Sequence, residues 1–326
     1  MPHATLHMNT SQALTLRALL IGIFFCLTAP NTYANSDYNL GNSLYQHGKG
    51  KAENFPRALE SFQLAAKKKH ASAQFYVGRM HQLGHGTTRD LKQAVTWYLR
   101  SGENGQARAW NNLANIFIDK DYQGYSPTRA IKCYKHASDL GMAMASDNLA
   151  EVYHFGKYDT PRDYQQAEQL YTLTLQQYEN YPGAWNNLGR LYEQGGHGIE
   201  RDVNAAARAY RKAAAHNDRY GYYNLADLYF DGDLEGTPDE IIRLFTQAAD
   251  LGHSSAMAQL GWIYKTGRYG TVDQERALHY YEAAAAKGHA NAQNSLAILL
   301  TDLNLENENS PRVLKLLESA AEKNNI

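Results

Sequence analysis

A branched apolar residue followed by glycine or alanine recurs along the chain at Leu40-Gly41, Val77-Gly78, Leu113-Ala114, Leu149-Ala150, Leu188-Gly189, Leu225-Ala226, Leu260-Gly261 and Leu296-Ala297. Successive steps lie 37, 36, 36, 39, 37, 35 and 36 residues apart. Around each step the apolar residues fall at helical spacing. Between His253 and Gly288, Ala256, Leu260, Gly261 and Tyr264 make one stripe, which predicts a first helix, A. Gly267 ends it, because glycine takes positive φ without steric cost. After the turn GRYGTVDQ, Ala277, Tyr280, Tyr281, Ala284 and Ala285 make a second stripe on helix B, closed by Lys287-Gly288. Small residues at Gly261, Ala277 and Ala285 let the two backbones approach, and Tyr264 and Tyr281 are expected to fill the gap between successive pairs.

The same template runs through the chain. The alanine of helix B recurs at Ala58, Ala94, Ala130, Ala167, Ala206 and Ala277, with Ile241 and Val313 in its place elsewhere. Its aromatic recurs at Phe62, Tyr98, Tyr134, Tyr171, Tyr210, Phe245 and Tyr281. A period of this length marks an all-α repeat array, in which each unit buries its apolar face only against its neighbours. Residues 35–326 are therefore expected to form a single array, with degenerate capping repeats near 36–70 and 289–326. From the helix-B aromatic to the next step is 16 residues everywhere except between Tyr171 and Gly189, where it is 18. That junction also carries Thr174-Leu175 in place of a small pair and inserts Pro182, so a hinge is expected at 172–184.

Residues 1–34 break the pattern. Ala18 to Leu27 is an apolar run of ten, preceded by Arg17 and followed by Pro30 and the small-residue site Thr32-Tyr33-Ala34. A bilayer-spanning helix needs about 20 such residues. The expectation is a secretory signal peptide cut after Ala34, with Met1 or Met8 as the start, and a periplasmic or secreted product without stable membrane insertion. Phe24 and Phe25 precede Cys26, which argues against lipidation. Cys133 is then the one remaining cysteine, expected to be a small buried hydrophobe, so the fold must hold by packing without disulfides.

Charge adds one exclusion. Lys+Arg number 32 against Asp+Glu 33, a net charge of −1, so the chain has no general attraction for nucleic acid. Tyrosine is abundant, at 24 against 9 Phe and 4 Trp, and most of these rings occupy fixed repeat positions, which makes them core first.

Candidate chemistry is sparse. No serine is followed three positions later by lysine, and G-x-S-x-G, H-E-x-x-H, Walker and C-x-x-C signatures are absent, so no catalytic residue, cofactor or metal ligand is assigned. His81 and His85 are four apart, but Gly84 between them is expected to end the helix. Asp231-Gly232-Asp233 begins like a calcium loop, but Ile242 stands where the bidentate glutamate belongs, and a polar turn is the better reading.

The face of helix A opposite its buried stripe is more informative. Positions three before and one and four after each step supply Asn111, Asn115 and Ile118; Asp147, Glu151 and His154; Asn186, Arg190 and Glu193; Tyr223, Asp227 and Phe230; and Trp262 with Lys265. Tyr223, Phe230 and Trp262 in adjacent repeats are expected to be exposed aromatics of a recognition surface, with Arg190 and Asp227 nearby. Asn39, Asn112, Asn148, Asn187 and Asn224 recur just before the apolar residue, and that repetition favours structural hydrogen bonds between neighbouring units.

The helix-A pattern AxxxLGxxYxxG and the helix-B pattern Dxx[KQ]AxxWYxxAAxxG closely resemble the Sel-1-like repeat family, relatives of the tetratricopeptide repeats. Ala256 to Gly267 (AMAQLGWIYKTG) and Asp90 to Tyr98 (DLKQAVTWY) carry the resemblance most clearly. It implies a right-handed α/α superhelical solenoid of about eight helix pairs, whose concave groove would be lined by the face just described. It further implies a non-enzymatic exported scaffold or adaptor for a protein or peptide partner, in a cell-envelope assembly or in host contact. Two alternatives stay open. One is a cell-wall-directed enzyme or penicillin-binding protein, like some cysteine-rich relatives whose cysteines this chain lacks. The other is a module binding glycan, such as peptidoglycan or an exopolysaccharide.

Overall fold

The computed structural model describes residues 33–46 and 52–324. The expected leader therefore lies outside the described residues, except for Tyr33 and the buried Ala34, which begin the first helix. The described residues form helix pairs: α1 (residues 33–46) with α2 (Phe55–Lys67), α3 (Ala71–Leu83) with α4 (Leu91–Glu103), and α5 (Ala107–Phe117) with α6 (Pro127–Asp139). Then come α7 (Ala143–Phe155) with α8 (Tyr164–Gln177), α9 (Pro182–Gln194) with α10 (Val203–Ala215), and α11 (Arg219–Phe230) with α12 (Pro238–Asp250). α13 (Ser254–Thr266) with α14 (Gln274–Ala286) and α15 (Ala290–Asp302) with α16 (Pro311–Asn324) complete the set. Odd-numbered helices are the A helices and even-numbered ones the B helices. The fold is an all-α array of repeated helix pairs.

Each helix begins and ends where its sequence dictates. Asp90, Asp163, Asp202 and Asp273 accept hydrogen bonds from the first-turn amides of α4, α8, α10 and α14, which otherwise have no intrahelical partner. Asp218 does the same for the A helix α11, but the A helices α3, α13 and α15 use a different cap. His70, His253 and His289 each accept, through Nδ1, the backbone N–H three residues on, at 3.2 Å. Before each of them stands a left-handed residue, Lys69 (φ 61°), Gly252 (φ 86°) or Gly288 (φ 78°), which turns the chain from one repeat into the next. Gly84 and Gly267 end α3 and α13 in the left-handed conformation, as their positions implied.

The chain divides between Leu149 and Ala150 into two compact units. In the first, α2 packs on α3, α3 on α4, α4 on α5 and α5 on α6. Its apolar cluster includes Tyr45, Phe62, Val77 and Met80. In the second unit, one cluster centres on Tyr164, Tyr171 and Leu191, and a longer one runs from Ala206 on α10 to Val313 on α16.

The small step residue has a specific use. A Cβ added at Gly41, Gly78, Gly189 or Gly261 would come within 2.8, 2.9, 2.6 or 2.7 Å of the ring of Phe62, Tyr98, Tyr210 or Tyr281. The helix-B aromatic thus lies directly against the helix-A backbone of its own repeat. This corrects the expectation that Tyr264 fills the gap between successive pairs together with Tyr281: Tyr281 is buried, whereas Tyr264 is half-buried and stacks on Tyr280 at 5.8 Å. Cys133 is buried as expected, and burial pushes its thiol up to about 11.

Candidate functional site

The polar residues around each step serve two purposes. The first is to couple repeats. Asn148 donates to the side-chain oxygen of Asn111 at 3.2 Å, Asn187 to Glu151 at 3.3 Å and Asn224 to Asn186 at 2.8 Å. Each bond spans about one repeat, which is the structural role that the recurrence of asparagine implied. Asn111 and Asn186, three residues before the step, accept two of these bonds and are buried rather than lining an open face, and Asp147 at the same position is buried too. Neighbouring A helices approach closely enough on that side for the asparagine of one repeat to reach the next. Burying an amide is tolerable when its hydrogen bonds are met in this way.

The second purpose is to anchor the buried tyrosines. Tyr98 donates to Gln82 at 2.7 Å and Tyr134 to Asn115 at 2.6 Å. In the second unit Tyr171 meets His154, and Tyr210 donates to Glu193. His154 was expected on the open face but is fully buried, where it also meets Gln194. Burial pulls its ring down to about 4.

What remains accessible is narrower than the sequence suggested. In the first unit Asn115 is exposed. In the second, Glu151 pairs with Lys157 at 2.5 Å, and the guanidinium of Arg190 sits 4.9 Å over the ring of Phe155. Tyr223, Asp227 and Phe230 are half-buried, and Trp262 is 36% exposed. Tyr223 stacks on His253 at 4.4 Å and also approaches Phe245, so it is partly core. Phe230 and Trp262 touch edge to face at 5.8 Å.

The turn after α13 completes this aromatic group, and sequence reasoning missed it. Arg268 places its guanidinium 4.9 Å over Phe230, 5.5 Å over Trp262 and 5.6 Å over Tyr269. No local pattern marks Arg268, because its partners come from the preceding repeat and from its own helix and turn. Tyr223 and Trp262 also border a cavity of about 320 Å³ between α13 and α15. Gln259, Ser255, Asn291 and Ser295 line it with amides and hydroxyls.

Beside this group the charge is negative. Burial, then Asp231 and Glu193, push the carboxyl of Asp227 up to about 6. Lys265 on α13 instead pairs with Asp302 at 3.7 Å. Rings, amides and carboxylates in this arrangement stack, hydrogen-bond and attract cations. Among the described residues no group of three or more His, Cys, Asp or Glu could hold a metal ion.

Known proteins give the same fold and place the chain in a family. The Sel1 repeat matches residues 34–70, 71–106, 120–142, 143–177, 184–218, 219–253 and 254–289. The helix pair α15 and α16 lies beyond the last match. Among curated proteins, the chitin synthase regulator SKT5 of Saccharomyces cerevisiae is 26% identical over 81% of this chain and 39% of its own length. A Neisseria meningitidis protein, NMB1327, is 26% identical over 72% of this chain and 54% of its own. The chain therefore spans about half the length, or less, of these relatives.

Among solved structures, c5321, a protective antigen of uropathogenic Escherichia coli displaying an SLR fold, superposes with a TM-score of 0.73 at 26% identity. That match covers 92% of this chain and 63% of the other. A Sel1 repeat protein from Oxalobacter formigenes gives a TM-score of 0.64 at 26% identity, over 76% of this chain and 96% of the other. With its helix pairs, its glycine-seated aromatics and seven matched repeats, this chain belongs to the Sel1 repeat family.

Proposed function

We propose that this chain is a non-enzymatic, exported scaffold that holds a protein or peptide partner against the A-helix face of its second unit. The observation that carries the reading is Trp262. Its ring is partly exposed, braced by Phe230 and Arg268, and borders a cavity lined with amides and hydroxyls. Aromatic side chains held rigidly at a surface lose little freedom on binding and dominate interface energetics. Repeat arrays use such faces to hold other macromolecules. The regulator and antigen among the similar proteins support a role in acting on or displaying to another protein. The apolar run Ala18 to Leu27 supports export.

Capture from an envelope extract with the wild-type chain and with Trp262→Ala tests this. Loss of the captured partner in a variant that keeps its melting temperature is the expected result. Undiminished capture would mean that partners bind elsewhere. An exposed ring beside amides and hydroxyls is also how sugars are held, so the same pair of proteins should be tested against isolated cell wall and exopolysaccharide. Binding there that depends on Trp262 would favour glycan over protein.

A further inference from the structure

A second cavity lies away from this site, between α9 and α10, and measures about 560 Å³. Trp185, Leu188 and Tyr192 from α9 form its bed with Ala205 and Ala209 from α10. The polar atoms of the bed are already used. The Trp185 indole N–H donates to the carbonyl of Glu179 at 2.8 Å, and the Tyr192 hydroxyl donates to Glu168 at 2.6 Å. The bed therefore offers ring faces and aliphatic surface, and a volume within the roughly 300–1,000 Å³ of small-molecule sites.

The size of this cavity comes from two substitutions of the repeat pattern. The space that the matching residues of α11 and α12 border, together with Arg211, Ala214 and Ala215 of α10, is about 280 Å³. There Glu240 and Leu244 stand where α10 has Ala205 and Ala209, one helical turn apart. No other repeat has alanine at both positions: Gln93 and Trp97, Arg129 and Cys133, Gln166 and Leu170, and Arg276 and Tyr280 are the other mid-array pairs. Cavities of this kind forgo packing that neighbouring repeats make, which is unfavourable unless something fills them.

The rim is cationic. Arg208, Arg211 and Lys212 border the cavity. Lys212 pairs with Glu179 at 3.1 Å, while Arg208 reaches Asp202 only at 4.0 Å with both side chains mostly exposed. Arg211 donates to the hydroxyl of Tyr229 at 2.7 Å and has no acidic partner among the described residues. Two guanidinium groups three residues apart on one helix thus stand over an apolar bed, one loosely paired and one unpaired. Guanidinium groups bind carboxylate or phosphate oxygens in bidentate geometry.

We infer that the cavity between α9 and α10 is a binding site for a small amphipathic anion, whose aliphatic tail lies on Trp185, Leu188, Ala205 and Ala209 and whose anionic head meets Arg211 and Arg208. Isothermal titration of the full chain with decanoate tests this, with acetate as the head alone and 1-octanol as the tail alone. Saturable decanoate binding is expected, with acetate and octanol at least tenfold weaker. Arg211→Gln should weaken decanoate at least tenfold, and Arg211→Lys, which keeps the charge but loses the bidentate fork, should weaken it less. Ala205→Glu with Ala209→Leu, which copies the next repeat, should abolish binding while helicity is kept. Absence of saturable decanoate binding overturns the site. Binding that survives Arg211→Gln overturns the anionic head, and binding that survives the double substitution overturns the location.

Discussion

The ring of Tyr281 lies against the backbone of Gly261, so close that a Cβ there would come to 2.7 Å of its Cδ1. Tyr210 and Gly189 repeat the relationship at 2.6 Å. Alanine is favoured over glycine in a helix by about 1 kcal/mol, but overpacking a buried contact costs about 1–3 kcal/mol. Gly261→Ala and Gly189→Ala should therefore each be net destabilising in urea unfolding. A raised midpoint would show that the ring moves aside freely.

Tyr281 and Tyr264 of the last matched repeat should separate in energy. Tyr281 is buried, and truncating a large buried aromatic costs about 3–5 kcal/mol. Tyr264 is half-buried and stacks on Tyr280, so Tyr264→Ala should cost less, about 1–2 kcal/mol, drawn from the ring pair and partial burial. Denaturant midpoints of the two variants give the order, and equal losses would contradict the packing described.

Two histidines should make the fold acid-sensitive. Burial pulls His154 and His253 down to about 4, while in the unfolded chain they titrate near 6.5. The unfolded chain then binds more protons between those values. The stability these rings contribute is complete above about pH 6.5 and is lost as pH falls through about 4, by roughly 2–3 kcal/mol each at most. His253→Asn keeps a capping acceptor, so it should retain stability at pH 7 and lose less of it at pH 4.5 than the wild type. Thermal melts at the two pH values read both effects.

Asp227 should act in the opposite direction. Its carboxyl, pushed up to about 6 by burial and then by Asp231 and Glu193, is charged at pH 7 at a cost that protonation removes. Asp227→Asn should raise stability at pH 7 by about 1 kcal/mol, a gain that shrinks as pH falls below about 6 and is gone below about pH 4. A variant less stable at pH 7 would mean that the carboxylate is held by an attraction stronger than the repulsion around it.

The junction between α8 and α9 should be cut first in limited proteolysis. α8 ends at Gln177, α9 begins at Pro182, and Tyr178, Glu179 and Asn180 between them are exposed. Fragment masses that place the first cut within 178–181 would support a hinge at this longer junction. First cleavage at another inter-repeat turn would count against it.

The recurring steps, the glycine stops and the helix-B alanines could be read in the sequence because they repeat at one period and each reports on its own helix. The asparagine bonds were legible for the same reason, since a polar residue repeated once per unit has the next unit as its natural partner. The inward placement of Asn111, Asp147, Asn186 and His154 was not legible. Helical periodicity assigns a residue to a direction around its own axis, but the approach of the neighbouring A helix decides whether that direction is open. The aromatic group behaves likewise. Tyr223, Phe230 and Trp262 could be picked out one by one, yet Arg268 joins them only because the turn after α13 carries it over Phe230 of the preceding repeat. The sequence by itself determined the repeat, its family and the residue types available on each helix. Only the tertiary structure decided which of those residues face solvent, because burial depends on contacts between segments about 36 residues apart whose relative phase no local pattern encodes.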